Sequence, residues 1–112
     1  QGEVRVADLP RSATEGPALS FEAPIGTPVY AAAAGRVAFS DVQGEGRLVL
    51  LDHGNGYYTG YGGLGSVEVR VGDEVSTHAR LGDIGRDGQP PALRFEVKQG
   101  TRVLQPRGWL GL

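Results

Sequence analysis

The chain has 112 residues, among them 19 Gly, 7 Pro and no Cys, and its 13 acidic and 11 basic side chains leave a formal charge of −2. That length suits one domain with a single buried core. The lack of cysteine excludes disulfides and thiolate metal sites, and charges scattered without a basic run exclude the field a nucleic-acid binder uses, so nucleic acid is not an expected partner.

Frequent Gly and Pro, strands rich in Val, Leu, Phe and Tyr, and no long helical period together predict an all-β fold with little or no helix. No apolar run approaches the roughly 20 residues that span a bilayer as a helix. The chain opens in mid-sequence at Gln1 and is expected to be a piece of a longer protein, so a missing leader carries no information on its location.

Glu3-Val4-Arg5-Val6-Ala7 alternates as a short edge strand. Leu9 to Pro17 has no periodicity and contains prolines that cannot donate to a ladder, so it reads as a loop. Leu19-Ser20-Phe21-Glu22-Ala23 alternates again, and Pro24 to Pro28 turns the chain. Val29-Tyr30 leads into Ala31 to Ala34, a run too short to repay helix nucleation before Gly35.

Arg36 to Val42, Arg47 to Asp52 and Tyr57 to Tyr61 read as three strands of a meander. They are joined by Gln43 to Gly46 and by His53 to Gly56, where Asn55-Gly56 favours the positive φ of a tight hairpin. Val67, Val69 and Val71 alternate with Glu68 and Arg70 as a further strand, and 72–75 and 80–85 read as very short strands joined by turns. Asp87 to Pro91 is a loop that delivers Ala92-Leu93-Arg94-Phe95-Glu96-Val97-Lys98. There Leu93, Phe95 and Val97 share one face, while Arg94, Glu96 and Lys98 line up as cation, anion, cation along the floor of any groove on the other. Gln99 to Arg102 turns again, and Trp109 and Leu110 are expected to cap an open end of the core.

Each histidine has a structural reading. His53 lies in a hairpin turn, where a hydrogen bond is expected, and His78 sits in Ser76-Thr77-His78-Ala79-Arg80, a solvated turn; neither has a partner at ligand spacing. A triad of Ser20 or Ser40 with His53 lacks the Gly-x-Ser-x-Gly elbow. Val71 to Val75 with Leu81 to Ile84 is similar to the hammerhead of lipoyl and biotinyl carriers. Those carriers need a lysine at a hairpin tip, and the sole lysine, Lys98, lies in a strand, so the likeness reads as shared architecture.

Five ordered blocks carry a more specific resemblance: Gly26 to Val37, Leu51 to Thr59 with Tyr61, Val71 to Val75, Leu93 to Val97, and Pro106 to Leu110. In this order and spacing they resemble the LytM domain of lysostaphin-type zinc endopeptidases, which cut peptide cross-links in bacterial cell walls. The resemblance covers residues 16 to 111, implying a LytM domain over 16–112 behind an extension or edge strand at 1–15. It also implies a β-sandwich or open barrel built from a duplicated hybrid motif, with a groove on one sheet.

Active members of that family hold zinc with a His, an Asp four residues later and the second His of a late His-x-His. The first His of that pair and another His after a Tyr-Ala dipeptide assist the attacking water. Aligned on this chain, the ligand positions fall on Gly16, Ser20 and Arg94, and the assisting positions on Ala92 and Gly63. A catalytic zinc needs three imidazole, carboxylate or thiolate ligands and an open water position. Arg94 would put a permanent cation with no lone pair where the metal should bind. No metal, cofactor or hydrolysis is therefore expected; a zinc endopeptidase is a less favoured reading.

A site degenerate in this way, with Leu93 to Val97 and Pro106 to Gly111, looks most like the EnvC-type murein hydrolase activators. The resemblance implies the periplasm of a Gram-negative bacterium at the division site. It also implies a preceding coiled coil, outside this chain, that links to the FtsE–FtsX complex. The partner it implies is a zinc-dependent N-acetylmuramoyl-L-alanine amidase, switched on during septal peptidoglycan splitting. Contact positions in such activators fall on Pro17, Ser20, Glu45, Leu48, Arg94 and Lys98. Leu48 supplies apolar contact, and Arg94 and Lys98 suit carboxylates or helix C-terminal carbonyls. Glu45 departs from the usual aromatic. Two plainer readings stay open: Leu48 as core, and Arg94 as a partner of Glu96 or Glu22. The alternative function is a peptidoglycan-binding module in which Tyr30, Tyr57, Tyr58 and Tyr61 stack on sugars, although tyrosines in a meander also pack cores.

Overall fold

Every described element is a strand, as the Gly- and Pro-punctuated alternation predicts. The computed structural model describes residues 5–8, 19–42, 46–85, 91–100 and 102–104. Its strands are β1 Arg5–Asp8, β2 Leu19–Glu22, β3 Pro28–Tyr30, β4 Gly35–Val42, β5 Arg47–Gly54, β6 Tyr57–Val67, β7 Glu74–Val75, β8 Arg80–Ile84, β9 Ala92–Gln99 and β10 Arg102–Leu104. The expected loop at 9–17, the loops at 43–46 and 87–91 apart from Gly46 and Pro91, and the cap formed by Trp109 and Leu110 lie outside the described residues.

The main sheet runs β1-β2-β9-β6-β5-β4-β7, while β10 pairs with β9 and β8 joins β3 to β6. The expected meander is present: β4, β5 and β6 are successive antiparallel neighbours. The hairpin between β5 and β6 closes on Asn55 at φ 54° and Gly56 at φ 79°, the two positive dihedrals that the Asn-Gly pair provides. Ala31 to Ala34 is not helical; Ala31 is buried and ties to the turn before β8 through Ala31 N–H to Ala79 O and His78 N–H to Ala31 O, both 2.8 Å.

The second half of the chain departs from expectation. The strand predicted at 57–61 does not stop at its glycines but continues to Val67, and the alternation at Val67, Val69 and Val71 is not a separate strand. Neighbours on both sides hold the glycine-rich stretch extended: β6 pairs with β5 and β9 through its first half, then with β8 from Leu64 on. At the corner Gly63 adopts φ 80°, which favours glycine. Beyond Val67 an Asp73 turn takes over, with Arg70 N–H donating to Asp73 Oδ2 at 2.9 Å, and Val71 is left 63% exposed.

One face of the main sheet is buried. Val37, Val49, Leu51, Tyr61, Phe95 and Val97 belong to one apolar cluster with Val29, Leu81 and Ile84 from β3 and β8. The ring of Phe95 meets Tyr61 edge-on at 5.5 Å and Phe21 at 6.4 Å. Tyr61 is 1% exposed, so it is core and cannot stack on a sugar; Tyr30 is 51% exposed.

A hydrogen-bonded chain ties this core to the β5–β6 hairpin. His53 Nδ1 donates to the Ala34 carbonyl at 2.7 Å, and Nε2 lies 2.7 Å from Thr59 Oγ1. Thr59 and Tyr61 hydroxyls share a 2.9 Å bond, and Ala32 N–H donates to Tyr61 at 2.9 Å. Burial pushes the Tyr61 phenol above its ordinary value of 10.0, and the bonds from Thr59 and Ala32 offset part of that rise. Because the folded value is the higher one, the stabilisation from keeping the phenol neutral is complete below about pH 10 and is lost as pH rises through the folded value. In an alkaline titration, Tyr61 is expected to ionise only as β structure is lost, and Tyr61→Phe to remove that tyrosinate phase. A Tyr61 signal titrating ahead of unfolding would contradict this.

Candidate partner-binding groove

The polar alternation of β9 becomes a site because its neighbours are short of side chains. In register, Arg94 faces Ser20 of β2 and Gly62 of β6, Glu96 faces Gly60, and Lys98 faces Tyr58. On the far side of β6, Leu50 faces Gly60. Val49 and Leu51 of β5 point into the core, so Leu48 and Leu50 stand on the opposite, outer face. Gly60 and Gly62 thus leave a strip without side chains, with a leucine wall on one side and a charged wall on the other.

Four positions singled out in the sequence meet here: Ser20, Leu48, Arg94 and Lys98. Leu48 is half-buried on the outer face and not part of the core cluster, which answers the first open reading. For the second, the ion pair of Glu96 is with Lys98, Oε1 to Nζ at 3.9 Å. Gly16, Pro17 and Glu45 lie outside the described residues. Sequence reasoning overlooked Gly60, Gly62 and Leu50 as lining residues. The available signal was a glycine at every second position, Gly60 and Gly62 alternating with Thr59 and Tyr61.

The residues at the family's zinc positions also converge, but they do not fit a metal. Ser20 and Arg94 are direct cross-strand partners, Ala92 lies two residues along β9, and Gly63 sits against Ala92. A hydroxyl, a guanidinium, a methyl group and no side chain at all do not make a donor set for zinc. Gly63 cannot take back a histidine on this backbone, since its φ is 80° and an added Cβ would fall 2.5 Å from the Ala92 carbonyl oxygen. Among the described residues no three His, Cys, Asp or Glu side chains come together as a metal-binding group.

Neither histidine supplies other chemistry. Both ring nitrogens of His53 are engaged, by Ala34 and Thr59, so it is not the base of a serine triad; Ser40 Oγ donates to the Val69 carbonyl at 3.4 Å. His78 is exposed on its turn at φ 68°. Lys98 is paired within the sheet to Tyr58 and Val103, in the strand and two residues before the β9–β10 turn instead of at its tip, so it does not match a carrier lysine.

The sequence matches the model described as Peptidase family M23 over residues 15–106. It is 34% identical to "Murein hydrolase activator EnvC" of Escherichia coli (strain K12) over 99% of this chain and 25% of that protein. It is 36% identical to "Cell division protein DipM" of Caulobacter vibrioides over 76% of this chain and 15% of that protein. The chain therefore spans a quarter or less of the length of these relatives. Among solved structures it is similar to a putative peptidase M23 from Pseudomonas aeruginosa, with a TM-score of 0.81, 27% identity, and coverage of 97% of this chain and 48% of that one. Likeness to an activator and to a putative peptidase alike leaves the choice of function to the residues of the site.

Proposed function

The chain belongs to peptidase family M23, and from the residues at that family's zinc positions we propose that it works without chemistry of its own. It acts as an activator of a periplasmic, zinc-dependent N-acetylmuramoyl-L-alanine amidase in septal peptidoglycan splitting in a Gram-negative bacterium, and it docks that amidase in the outer-face groove. The observation that carries this reading is Arg94 paired across the strands with Ser20, a fixed cation and a hydroxyl where the family pattern has His and Asp. The kinship with proteins named for murein hydrolase activation and for cell division supports it.

Activation by docking requires differential affinity and nothing more. If a regulatory helix covers the amidase's zinc, a domain that binds the displaced form better shifts the population toward it by that difference in free energy. Arg94 and Lys98 supply the charge-assisted contacts and Leu48 the apolar one. The link to the FtsE–FtsX complex belongs to a segment outside residues 1–112.

The exposed Tyr30 favours a second reading, a peptidoglycan-binding module that positions a larger protein. Co-sedimentation separates the two. The chain is expected to stay in the supernatant with purified sacculi alone and to be pulled down when the amidase is added. Strong retention on sacculi without any effect on the amidase would replace the activator by the binding module.

A further inference from the structure

The chemistry of the groove narrows what can dock there; this step rests on the reading of the groove as a docking site. Its floor strands are paired on both sides: β5 lies between β4 and β6, β6 between β5 and β9, and β9 between β6 and β2. An extended peptide laid on that face finds no open ladder for its own N–H and C=O groups. A helix satisfies its backbone internally and needs side-chain contacts alone. The strip also suits a helix: β5 and β9 stand two strand spacings apart, about 9.5 Å, so a helix roughly 10 Å across lies over the strip and reaches the side chains of both walls.

The strip between them is uneven. At Gly60 the walls lean in, so that an added Cβ would lie 2.9 Å from Glu96 Cγ and 3.1 Å from Leu50 Cδ2. At Gly62 the nearest atoms would be Arg94 Cβ at 3.7 Å and Leu48 Cδ1 at 3.9 Å. The floor is closed at Gly60 and open at Gly62, a notch between a leucine and the stem of an arginine.

The charged wall is ordered too. Arg94, Glu96 and Lys98 follow one another at about 6.7 Å, two strand residues per step. The Glu96 side chain is 13% exposed and its ion pair with Lys98, at 3.9 Å, is long. A helix covering the strip removes the last water from Glu96, so it must return a donor; a carboxylate facing Glu96 would be a like charge in a dry site.

We propose that Gly62 and Glu96 select the partner. The groove takes an amphipathic helix that seats one aliphatic side chain in the Gly62 notch and presents acid, base and acid at i, i+4 and i+8 toward Arg94, Glu96 and Lys98. Four helical residues advance about 6 Å, which keeps step with the wall over this length. The same acid-to-base spacing also stabilises the helix by itself.

The probes are two stapled, fluorescein-labelled helices sharing one leucine and differing in a single residue, Glu-Lys-Glu against Glu-Glu-Glu at i, i+4 and i+8. They are titrated against the chain by fluorescence anisotropy, and amidase stimulation is measured in parallel. The chain is expected to bind the Glu-Lys-Glu helix at least about tenfold tighter, and Glu96→Lys to reverse that order. Gly62→Leu is expected to weaken binding by about tenfold or more, with Gly62→Ala, whose Cβ meets only ordinary contacts, reading the same notch if the larger variant does not fold. Equal binding of the two helices, binding of neither, or full affinity in a folded Gly62 variant overturns the proposal. Amidase stimulation with no discrimination would overturn this selectivity alone and leave the activator standing. Discrimination with no stimulation would overturn the activator and leave the selectivity standing.

Discussion

Replacing Arg94 and Lys98 together by glutamate is expected to abolish the proposed amidase stimulation while the chain still folds. Both side chains lie on the outer face of β9, and neither belongs to the apolar cluster that holds the sheet together. The exchange turns a wall of two cations and one anion into three carboxylates in a row. Reversing a charge within a covered contact costs about 2–5 kcal/mol, so even one of the two pairs is worth roughly 30-fold or more in affinity. Dye release from labelled peptidoglycan by the amidase, with each variant titrated in, measures the loss directly. Circular dichroism at the assay temperature, expected to match that of the parent chain, shows that docking and not folding has been lost; the thermal midpoint is expected to fall, since Glu96 loses its Lys98 partner and gains like charges on both sides. Undiminished stimulation by the double variant would remove the groove from the mechanism.

The largest loss of stability is expected from Leu51→Ala. Leu51 is 0% exposed and faces Val37 on β4 and Thr59 on β6, in the centre of the buried face. Truncating such a leucine removes its transfer energy and leaves a cavity, together about 3 kcal/mol. For a chain of this size that lowers the melting midpoint by roughly 10 °C. Leu48, three residues earlier on the same strand, makes the contrast: it points to the outer face, so Leu48→Ala is expected to leave the midpoint almost unchanged while weakening amidase binding. Thermal unfolding of the two variants side by side checks the assignment of faces. Equal losses would mean that Leu48 is core after all.

How far the fold was legible depends on whether the cause was local. Leu93, Phe95 and Val97 announced the buried face of β9 by alternation alone, and Asn55-Gly56 announced its hairpin because the required dihedrals are a property of those residues. The long β6 was not legible as one strand. Gly60, Gly62 and Gly65 have poor strand propensity, and they are held in β6 by its hairpin partner β5 and by β8 and β9, the last two distant in sequence. Val69 and Val71 alternate like a strand, yet the Asp73 side chain captures Arg70 N–H and turns the chain there.

The candidate site divides in the same way. Periodicity alone puts Arg94, Glu96 and Lys98 on one face. That Ser20 stands beside Arg94, and that Gly60 and Gly62 clear the floor between Leu48 and Arg94, depends on register across four strands. The family resemblance supplied Ser20, Leu48, Arg94 and Lys98. It could not supply the glycines, whose effect is to leave room.

Dye release from labelled peptidoglycan tests the proposed activation most directly. The amidase is assayed with and without this chain, and the chain is assayed alone with added zinc. Release raised in the mixture, with none from the chain alone, is the expected result and identifies an activator that works by binding. Release by the chain alone would contradict it, and would mean that a catalytic site operates despite Arg94 and Ser20.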